Sequence, residues 1–572
     1  MTVIATAGHV DHGKSTLVRF LTGVDPDRWD EEKARGLTID LGFAKFTLPS
    51  GADLSLVDVP GHTRFLRNML AGVGAVDGCL FVVAANDGWK PQSEEHLRIL
   101  SLLGIKQGVI ALTKIDEVDE ELAELAQMDI EEHVQGTFLE SAPIIGVAAP
   151  TGAGMDDLRA ALDQLASELP SPDTVRPPRL WVDRAFAPSG AGTVVTGTLV
   201  RGSLSVGDEL TLTPGSHKVR VRGLQQHNSH VETVDAGNRV AVNVTGVSHH
   251  QVGRGHVLIT DGTWHQTRMV DASLAVLESL DHTVTRRGAF VAYIGSAELS
   301  VKVRVLGQGE LLPGDEGYVR LYLPESLPLL PGDRFILRES GRDETVGGGE
   351  IVDVEPILPA SKASPSRDID RLIAERGWVD VDHLARISGV EVEPTAGRWV
   401  APDDLVQSTL EELTKRIEAA GPLGLDLAAV DDKERSILAL IENCTISAGR
   451  VVIGEPEDPL ADHPWVSALQ NAPFNPPGAD GIDRVEVREL VRRGTVVEQD
   501  GVYFAATAIE QASLIVARLL KDNPAGFTVA EARDALATTR KYVLPIVSYL
   551  DRTGITRRRD DVRIAGARLP EV

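Results

Sequence analysis

Gly8-His9-Val10-Asp11-His12-Gly13-Lys14-Ser15, followed by Thr16, lies at the start of the chain, directly after the apolar run Val3 to Ala7. Two glycines with four residues between them and then Lys-Ser form a phosphate-cradling pattern. The flanks read as a strand entering a Gly-rich turn and a helix over 15–21, which is the context the motif requires. Glycines let successive backbone N–H groups turn inward, making an anion nest at a helix N-terminus. Lys14 then faces the β- and γ-phosphates, and the Ser15 hydroxyl completes a Mg²⁺ shell. On this stretch alone a Gly-rich turn without a ligand remains the alternative.

Two further motifs narrow the reading. Asp58-Val59-Pro60-Gly61-His62 follows the apolar run 54–57, so Asp58 sits at a strand end, placed to reach Mg²⁺ through water. The Gly61 N–H is there to meet a γ-phosphate. Thr113-Lys114-Ile115-Asp116 follows the apolar strand 108–112. A carboxylate at Asp116 can accept two hydrogen bonds from the N1–H and N2–H₂ edge of guanine, which adenine does not offer. A mismatch would leave buried polar groups unpaired. Three motifs in this order, each at a strand end, predict an α/β P-loop GTPase that converts GTP to GDP.

These residues resemble the GTPase domain of the translational factors, with His9 to Asp11 and Arg35-Gly36-Leu37-Thr38-Ile39 specific to that group. The resemblance implies that Thr38 closes over Mg²⁺ and the γ-phosphate, so that Ser15, Thr38 and Asp58 form the metal shell. It implies that His62 is catalytic, orienting the attacking water on the ribosome. Val10 and Leu37 match the apolar gate before that histidine, and Asp11 a position linked to a monovalent cation. The GTP-binding set it implies is Gly8 to Thr16, Thr38, Asp58, Gly61, Thr113, Lys114, Asp116, Ala148 and Ala149. Two departures stand out. Asn is usual where this chain has Thr113, which keeps a hydroxyl but lacks the amide that braces the phosphate loop. Ser is usual at Ala148 in Ala148-Ala149-Pro150, although the guanine O6 contact there is a backbone N–H that Ala149 can supply. Both changes suggest a looser pocket, and fast exchange without a separate exchange factor would fit it.

At 572 residues the chain exceeds one core, and three to five domains are expected. Charged residues at 25% and apolar ones at 42% are ordinary for a globular protein. Cys79 and Cys444 are far apart, Cys79 within an apolar run, and no disulfide or zinc spacing exists. The first residues already read as a strand, so no signal peptide is expected. No run of about 18 apolar residues occurs, which excludes a membrane span. A cytoplasmic protein is the expectation. The net charge of −27 argues against indiscriminate nucleic-acid binding. Much of it is local, as in 116–132, read as a solvated helix face. An acidic chain can still hold RNA where its basic residues gather.

The GTPase domain is placed at 1–170, ending before the Pro-rich linker Pro170 to Pro178. Short alternating segments with Gly turns then predict two β-barrels, at 179–262 and 266–358. That order matches the three-domain body of elongation factor Tu and its relatives. Beyond a polar linker the chain reads as helices with short strands. Gly397-Arg398-Trp399-Val400, Gly449-Arg450-Val451-Val452 and Gly501-Val502-Tyr503-Phe504 recur every 52 residues, and Asp561-Val562-Arg563-Ile564 repeats the pattern. That period fits tandem winged helices at 366–420, 421–457, 458–511 and 512–572, with wingless helical repeats as the alternative. Basic residues gather in the last unit. Arg540, Lys541 and Tyr542 open an expected recognition helix over 541–550, and Arg552, Arg557, Arg558, Arg559 and Arg563 follow. An aromatic inside a basic cluster suits an RNA hairpin; a solubilising basic wing is the alternative.

GTPase, two barrels and a winged-helix array together resemble the bacterial selenocysteine-specific elongation factors over essentially the whole chain. RGLTIDLG at 35–42, WVDRAFAPSGAGTVVTG at 181–197 and FTVAEARDALATTRKYVLPIVSYLDRTGITRR at 527–558 carry the likeness. The resemblance implies GTP-dependent delivery of selenocysteinyl-tRNA to the ribosome at a recoded UGA codon. The last winged helix would tether the factor to an mRNA hairpin. It also implies a positively charged selenocysteine pocket at Asp183, Arg184 and Arg239; a surface pair of Asp183 with Arg184 is the alternative. Two rival classes are a GTPase subunit of a sulfate-activating complex and an mRNA- or ribosome-binding regulator with a vestigial GTPase. A monomer is expected.

Overall fold

The computed structural model describes residues 2–24, 42–58, 76–226, 229–342, 344–447, 449–454 and 460–572. Leu37, Thr38, Gly61 and His62 lie outside the described residues. The first domain runs β1 (Thr2–Ala7), α1 (Lys14–Thr22), β2 (Gly42–Thr47), β3 (Asp53–Asp58), β4 (Gly78–Ala84), α2 (Pro91–Leu102), β5 (Gly108–Thr113), α3 (Glu120–Val134), β6 (Ile144–Gly146) and α4 (Met155–Glu168). The strand order is β2-β3-β1-β4-β5-β6, with only β2 antiparallel to its neighbour. The central strands are mostly apolar because helices cover both faces, and β4 is buried along its whole length. Alternate side chains serve two cores: Val3, Ala5 and Ala7 face α2 and α3, while Ile4 faces α1 and α4. Cys79 is fully buried in the first of these cores, as its apolar run suggested. The parallel strands end at one edge, where Gly8, Asp58, Thr113 and Ala148 all fall.

The second domain closes into a ring. Glu209–Thr213, Val257–Ile259, Arg179–Phe186, Thr193–Arg201, Asn238–Thr245 and His217–Gln226 pair in that order, and the last pairs back to the first. The third is a closed barrel of Gln266–Val276, Glu316–Pro328, Ala297–Val305, Phe290–Ile294, Arg334–Glu339 and Glu344–Asp353. Arg179 clamps the two barrels. Its guanidinium makes two 2.7 Å bonds to the Asp333 carboxylate and lies 4.9 Å from the Trp264 ring centroid. The far end of α2 packs on the third domain, where Arg98 donates to Ser279 at 2.9 Å and Ile336 joins the α2 core.

Beyond the barrels, every position of the 52-residue pattern is a strand: Trp399–Val400, Arg450–Ile453, Val502–Ala505 and Val562–Ala565. Each pairs into a small sheet beside short helices: among the described residues the last three repeats carry a hairpin, whereas Trp399–Val400 pairs only with Val379–Asp380, the strand ahead of its helix. The chain forms two compact units, Met1–Asp403 and Asp404–Val572. The division falls inside the first of the four repeats, expected at 366–420: its part up to 403 belongs to the first unit, where Leu372, Ile373, Leu384 and Ile387 share one core with the second barrel, and the helix Asp403–Ala419 lies beyond it. In the second unit the last repeat has helices Ala506–Asp522, Val529–Ala535 and Arg540–Arg552, then the hairpin Thr556–Arg559 with Val562–Ala565.

Candidate nucleotide and RNA sites

The phosphate loop follows from backbone constraint. Gly8 has φ 128°, and a Cβ there would come within 2.1 Å of the Val82 carbonyl oxygen, so only glycine lets the loop leave β1 against β4. Asp11 adopts φ 64°, and Gly13 caps α1 in the same left-handed region. Such alternation turns backbone N–H groups inward as an anion nest. Lys14 is buried, its Nζ donating to the carbonyls of Gly8 at 2.9 Å and His9 at 2.7 Å. Burial pulls its pKa down to about 8 against the opposing pull of Asp58 and Asp11.

Asp58 ends β3 fully buried. Its Oδ1 accepts from Thr6 Oγ1 at 2.7 Å and its Oδ2 from Ser15 Oγ at 2.8 Å, so two of the three expected metal ligands meet. Thr113 differs from the expectation of a lost brace. Its hydroxyl donates to the His12 carbonyl at 2.7 Å, tying the end of β5 to the loop. Lys114 takes φ 59° and starts the short turn Ile115–Glu117 that carries Asp116. The Ala148 N–H donates to Ala153 at 3.0 Å and closes the last turn, with Ala149 next in line.

Three partners escape sequence reasoning. Gln92 Oε1 accepts from the Val10 N–H at 3.0 Å, and His96 Nδ1 from the Gly8 N–H at 3.0 Å. Their i, i+4 spacing on α2 was the available signal. The third is Thr6, a hydroxyl inside an apolar strand. Burial holds His96 neutral, with its pKa pushed down to about 3, and holds His12 down to about 4 despite the Asp87 carboxylate at 3.2 Å.

On the first barrel, Asp183 is an extra residue. Val182 pairs with Gly197 and Arg184 with Thr196, leaving Asp183 at a β-bulge. Gly197 permits it, because a Cβ there would lie 2.0 Å from the Trp181 carbonyl. Asp183 meets Arg239 through bonds of 3.0 and 2.9 Å, and Thr196 Oγ1 donates to Asp183 at 2.7 Å. Arg184 is exposed beside them.

In the last winged helix Arg540, Lys541, Arg552, Arg557, Arg558 and Arg559 are exposed. Arg552 and the wing arginines lie around one turn, whereas Arg540 and Lys541 start a 13-residue helix, about 18 Å away along its axis. Tyr542 packs partly into the core, with Lys541 Nζ 5.1 Å from its ring centroid. Arg563 is buried against Asp551 at 2.9 Å and so belongs to the fold, not to an RNA surface.

Comparison with known proteins agrees with this architecture. Family profiles match in chain order: Elongation factor Tu GTP binding domain over 1–168, Elongation factor Tu domain 2 over 192–259, Selenocysteine-specific elongation factor beta-barrel domain over 268–357, and Elongation factor SelB winged helix over 518–565. The chain is 30% identical to a selenocysteine-specific elongation factor of Desulfomicrobium baculatum over 98% of this chain and 99% of that protein. It is 32% identical to that of Escherichia coli (strain K12), covering 97% of both. A crystal structure of a bacterial selenocysteine-specific elongation factor superposes with a TM-score of 0.69 at 27% identity, covering 99% of this chain and 100% of that one. Among the described residues no helix is long and apolar enough to cross a membrane. The chain belongs to the selenocysteine-specific elongation factor family of translational GTPases.

Proposed function

We propose that the protein carries selenocysteinyl-tRNA to ribosomes paused at a UGA codon recoded by an mRNA hairpin, in the cytoplasm and as a monomer. The observation that carries the reading is the pairing, in one strongly acidic chain, of a guanine-nucleotide site with an exposed arginine wing at 557–559. Ser15 and Asp58 supply hard oxygen donors that converge within 2.8 Å, a donor set that fits Mg²⁺, with Thr38 as the third protein ligand. The ion neutralises charge on the β- and γ-phosphate oxygens when bound; Asp11 is the candidate for a monovalent cation beside it. Lys14 and the loop N–H groups hold the phosphates in line, Asp116 and Ala149 read guanine, and His62 orients the water. The water oxygen bonds to the γ-phosphorus as the bond to the β,γ-bridging oxygen breaks, and its proton leaves with phosphate.

Asp183, Arg184 and Arg239 form the aminoacyl pocket in this reading. Two guanidiniums against one carboxylate leave a net positive charge, which favours a selenolate over a neutral seryl hydroxyl. Arg540, Lys541, Tyr542, Arg552 and Arg557 to Arg559 would take the hairpin. The deciding measurement is affinity for selenocysteinyl-tRNA against seryl-tRNA on the same tRNA body. Tighter binding of the first is expected, and equal affinities overturn the assignment.

A further inference from the structure

The charged pair on the first barrel shares a neutral partner, Thr196. It stands on the strand Thr193–Arg201, between the strand Arg179–Phe186, which bears Asp183 and Arg184, and the strand Asn238–Thr245, which bears Arg239. Val195 and Leu199 of the same strand enter the barrel core, so Thr196 points to the outer face. It is nonetheless only 7% exposed, with Asp183 bonded to it from one neighbouring strand and Arg239 from the other.

One hydroxyl serves both charges. It donates to Asp183 Oδ1 at 2.7 Å and accepts from Arg239 Nη2 at 3.2 Å. Arg239 itself holds both Asp183 oxygens, through Nη2 at 2.9 Å and Nε at 3.0 Å. The terminal torsion of an aspartate is broad, so rotamer preference does not fix the carboxylate plane, and two bonds from one guanidinium let the pair swing as a unit. A third bond from a β-branched side chain, itself stiff at χ1, removes that freedom. The backbone of the bulge is held separately. The Val182 carbonyl accepts from Ser296 Oγ of the third domain at 2.6 Å and from the Gly255 N–H at 3.1 Å, and the Val182 N–H donates to the His256 carbonyl at 2.8 Å. Thr196 therefore acts on the charged side chains and not on the bulge that presents them.

We infer that Thr196 is a positioning residue for amino-acid selection, its hydroxyl fixing the Arg239 guanidinium where a selenolate gains from it and a neutral hydroxyl does not. The inference rests on the proposed pocket at Asp183, Arg184 and Arg239. Attraction between a guanidinium and a selenolate falls with their separation, so a guanidinium that swings loses part of it. A seryl hydroxyl carries no charge and gains little from either position. Loosening the pair thus costs affinity for selenocysteinyl-tRNA and leaves seryl-tRNA nearly unaffected. Valine matches threonine in shape but can neither donate to Asp183 nor accept from Arg239, so T196V removes both bonds at once. Serine keeps the hydroxyl and both bonds.

The test is Kd for selenocysteinyl-tRNA and for seryl-tRNA on one tRNA body, measured on the full chain with a slowly hydrolysed GTP analogue, for wild type, T196V, T196S and R239A. T196V is expected to bind selenocysteinyl-tRNA about tenfold more weakly and seryl-tRNA within about twofold of wild type, because both lost bonds involve charged groups that only the selenolate feels. T196S should restore the wild-type preference. R239A separates the two ways of failing. Equal affinities in wild type, or a preference that R239A leaves intact, overturn the pocket and this inference with it. A preference that R239A abolishes and T196V leaves intact keeps the pocket and overturns the role of Thr196. Equal weakening of both tRNAs by T196V, or a T196S that behaves like T196V, assigns Thr196 to the fold and overturns the inference as well.

Discussion

The hydroxyl of Thr113 carries a bond on which the shape of the phosphate loop depends. It is buried and donates to the His12 carbonyl, one residue before the glycine that starts α1. Replacing it by valine keeps the volume and leaves a buried carbonyl without its donor, at about 1–2 kcal/mol. Thr113→Val should therefore weaken GDP binding about 5- to 30-fold in a fluorescent-nucleotide titration, and Thr113→Ser should stay near wild type. Catalysis divides differently: His62→Ala should retain GTP affinity and lose hydrolysis in single-turnover assays on ribosomes. A vestigial GTPase would show no such difference. The chemistry of Lys14, Ser15, Asp58 and Asp116 could be read from residue type and spacing, because phosphate and guanine impose those groups. The Thr113 brace could not, since it depends on how the end of β5 sits against a loop 101 residues earlier. Nor could the Asp183–Arg239 pair, which a bulge and a neighbouring glycine bring about.

Helix α2 works as a brace with two loaded ends. Gln92 and His96 accept the N–H groups of Val10 and Gly8 at one end, and Arg98 and Leu100 meet the third domain or its shared core at the other. His96 and His12 are buried neutral, with folded pKa values pushed down to about 3 and about 4, below the ordinary histidine value of about 6.5. Between those values the unfolded chain binds more protons than the folded one. The contribution to stability is thus intact above pH 6.5 and lost as pH falls toward the folded values. At pH 5 each of the two costs about 2 kcal/mol. Calorimetry of the GTP-domain transition, identified by its shift on adding GDP, should show a clear drop between pH 7 and pH 5. His96→Gln keeps an acceptor for Gly8 and should shrink that drop; an unchanged slope would count against a neutral buried His96. The sheet strands were readable as apolar runs because burial on both faces leaves no choice of side chain. The role of α2 was hidden, because an amphipathic helix of that composition does not say what its polar side will hold.

At the scale of the molecule, the 52-residue period was readable because each repeat returns a Gly turn and an apolar strand at a fixed interval. The division at residue 403 was not, because the first repeat buries Leu372, Leu384 and Ile387 in the core of the barrel that precedes it, and no residue pattern marks that shared core. The acidic chain confines its cationic wing to the far C-terminus, so hairpin binding and nucleotide chemistry should respond to separate substitutions. Arg558 lies on the strand Thr556–Arg559, exposed, its Nε donating to the Asp560 carbonyl within the turn. Asp551 anchors that hairpin from the recognition helix, accepting from Thr556 of this strand at 2.6 Å and from Arg563 of the paired strand at 2.9 Å. Arg558→Ala removes one phosphate contact and should weaken hairpin binding about 5- to 20-fold while lowering the salt slope by about 1. Asp551→Ala leaves Arg558 in place but releases the strand that aims it, so it should weaken hairpin binding and also lower the melting temperature. GTP affinity should stay the same in both variants. Deleting 510–572 should abolish hairpin binding and leave GTP binding intact. A sulfate-activating subunit would make no use of this tail, so a deletion with no effect on any RNA readout would favour that rival. A parallel loss of GTP affinity would show that the wing and the phosphate loop are coupled.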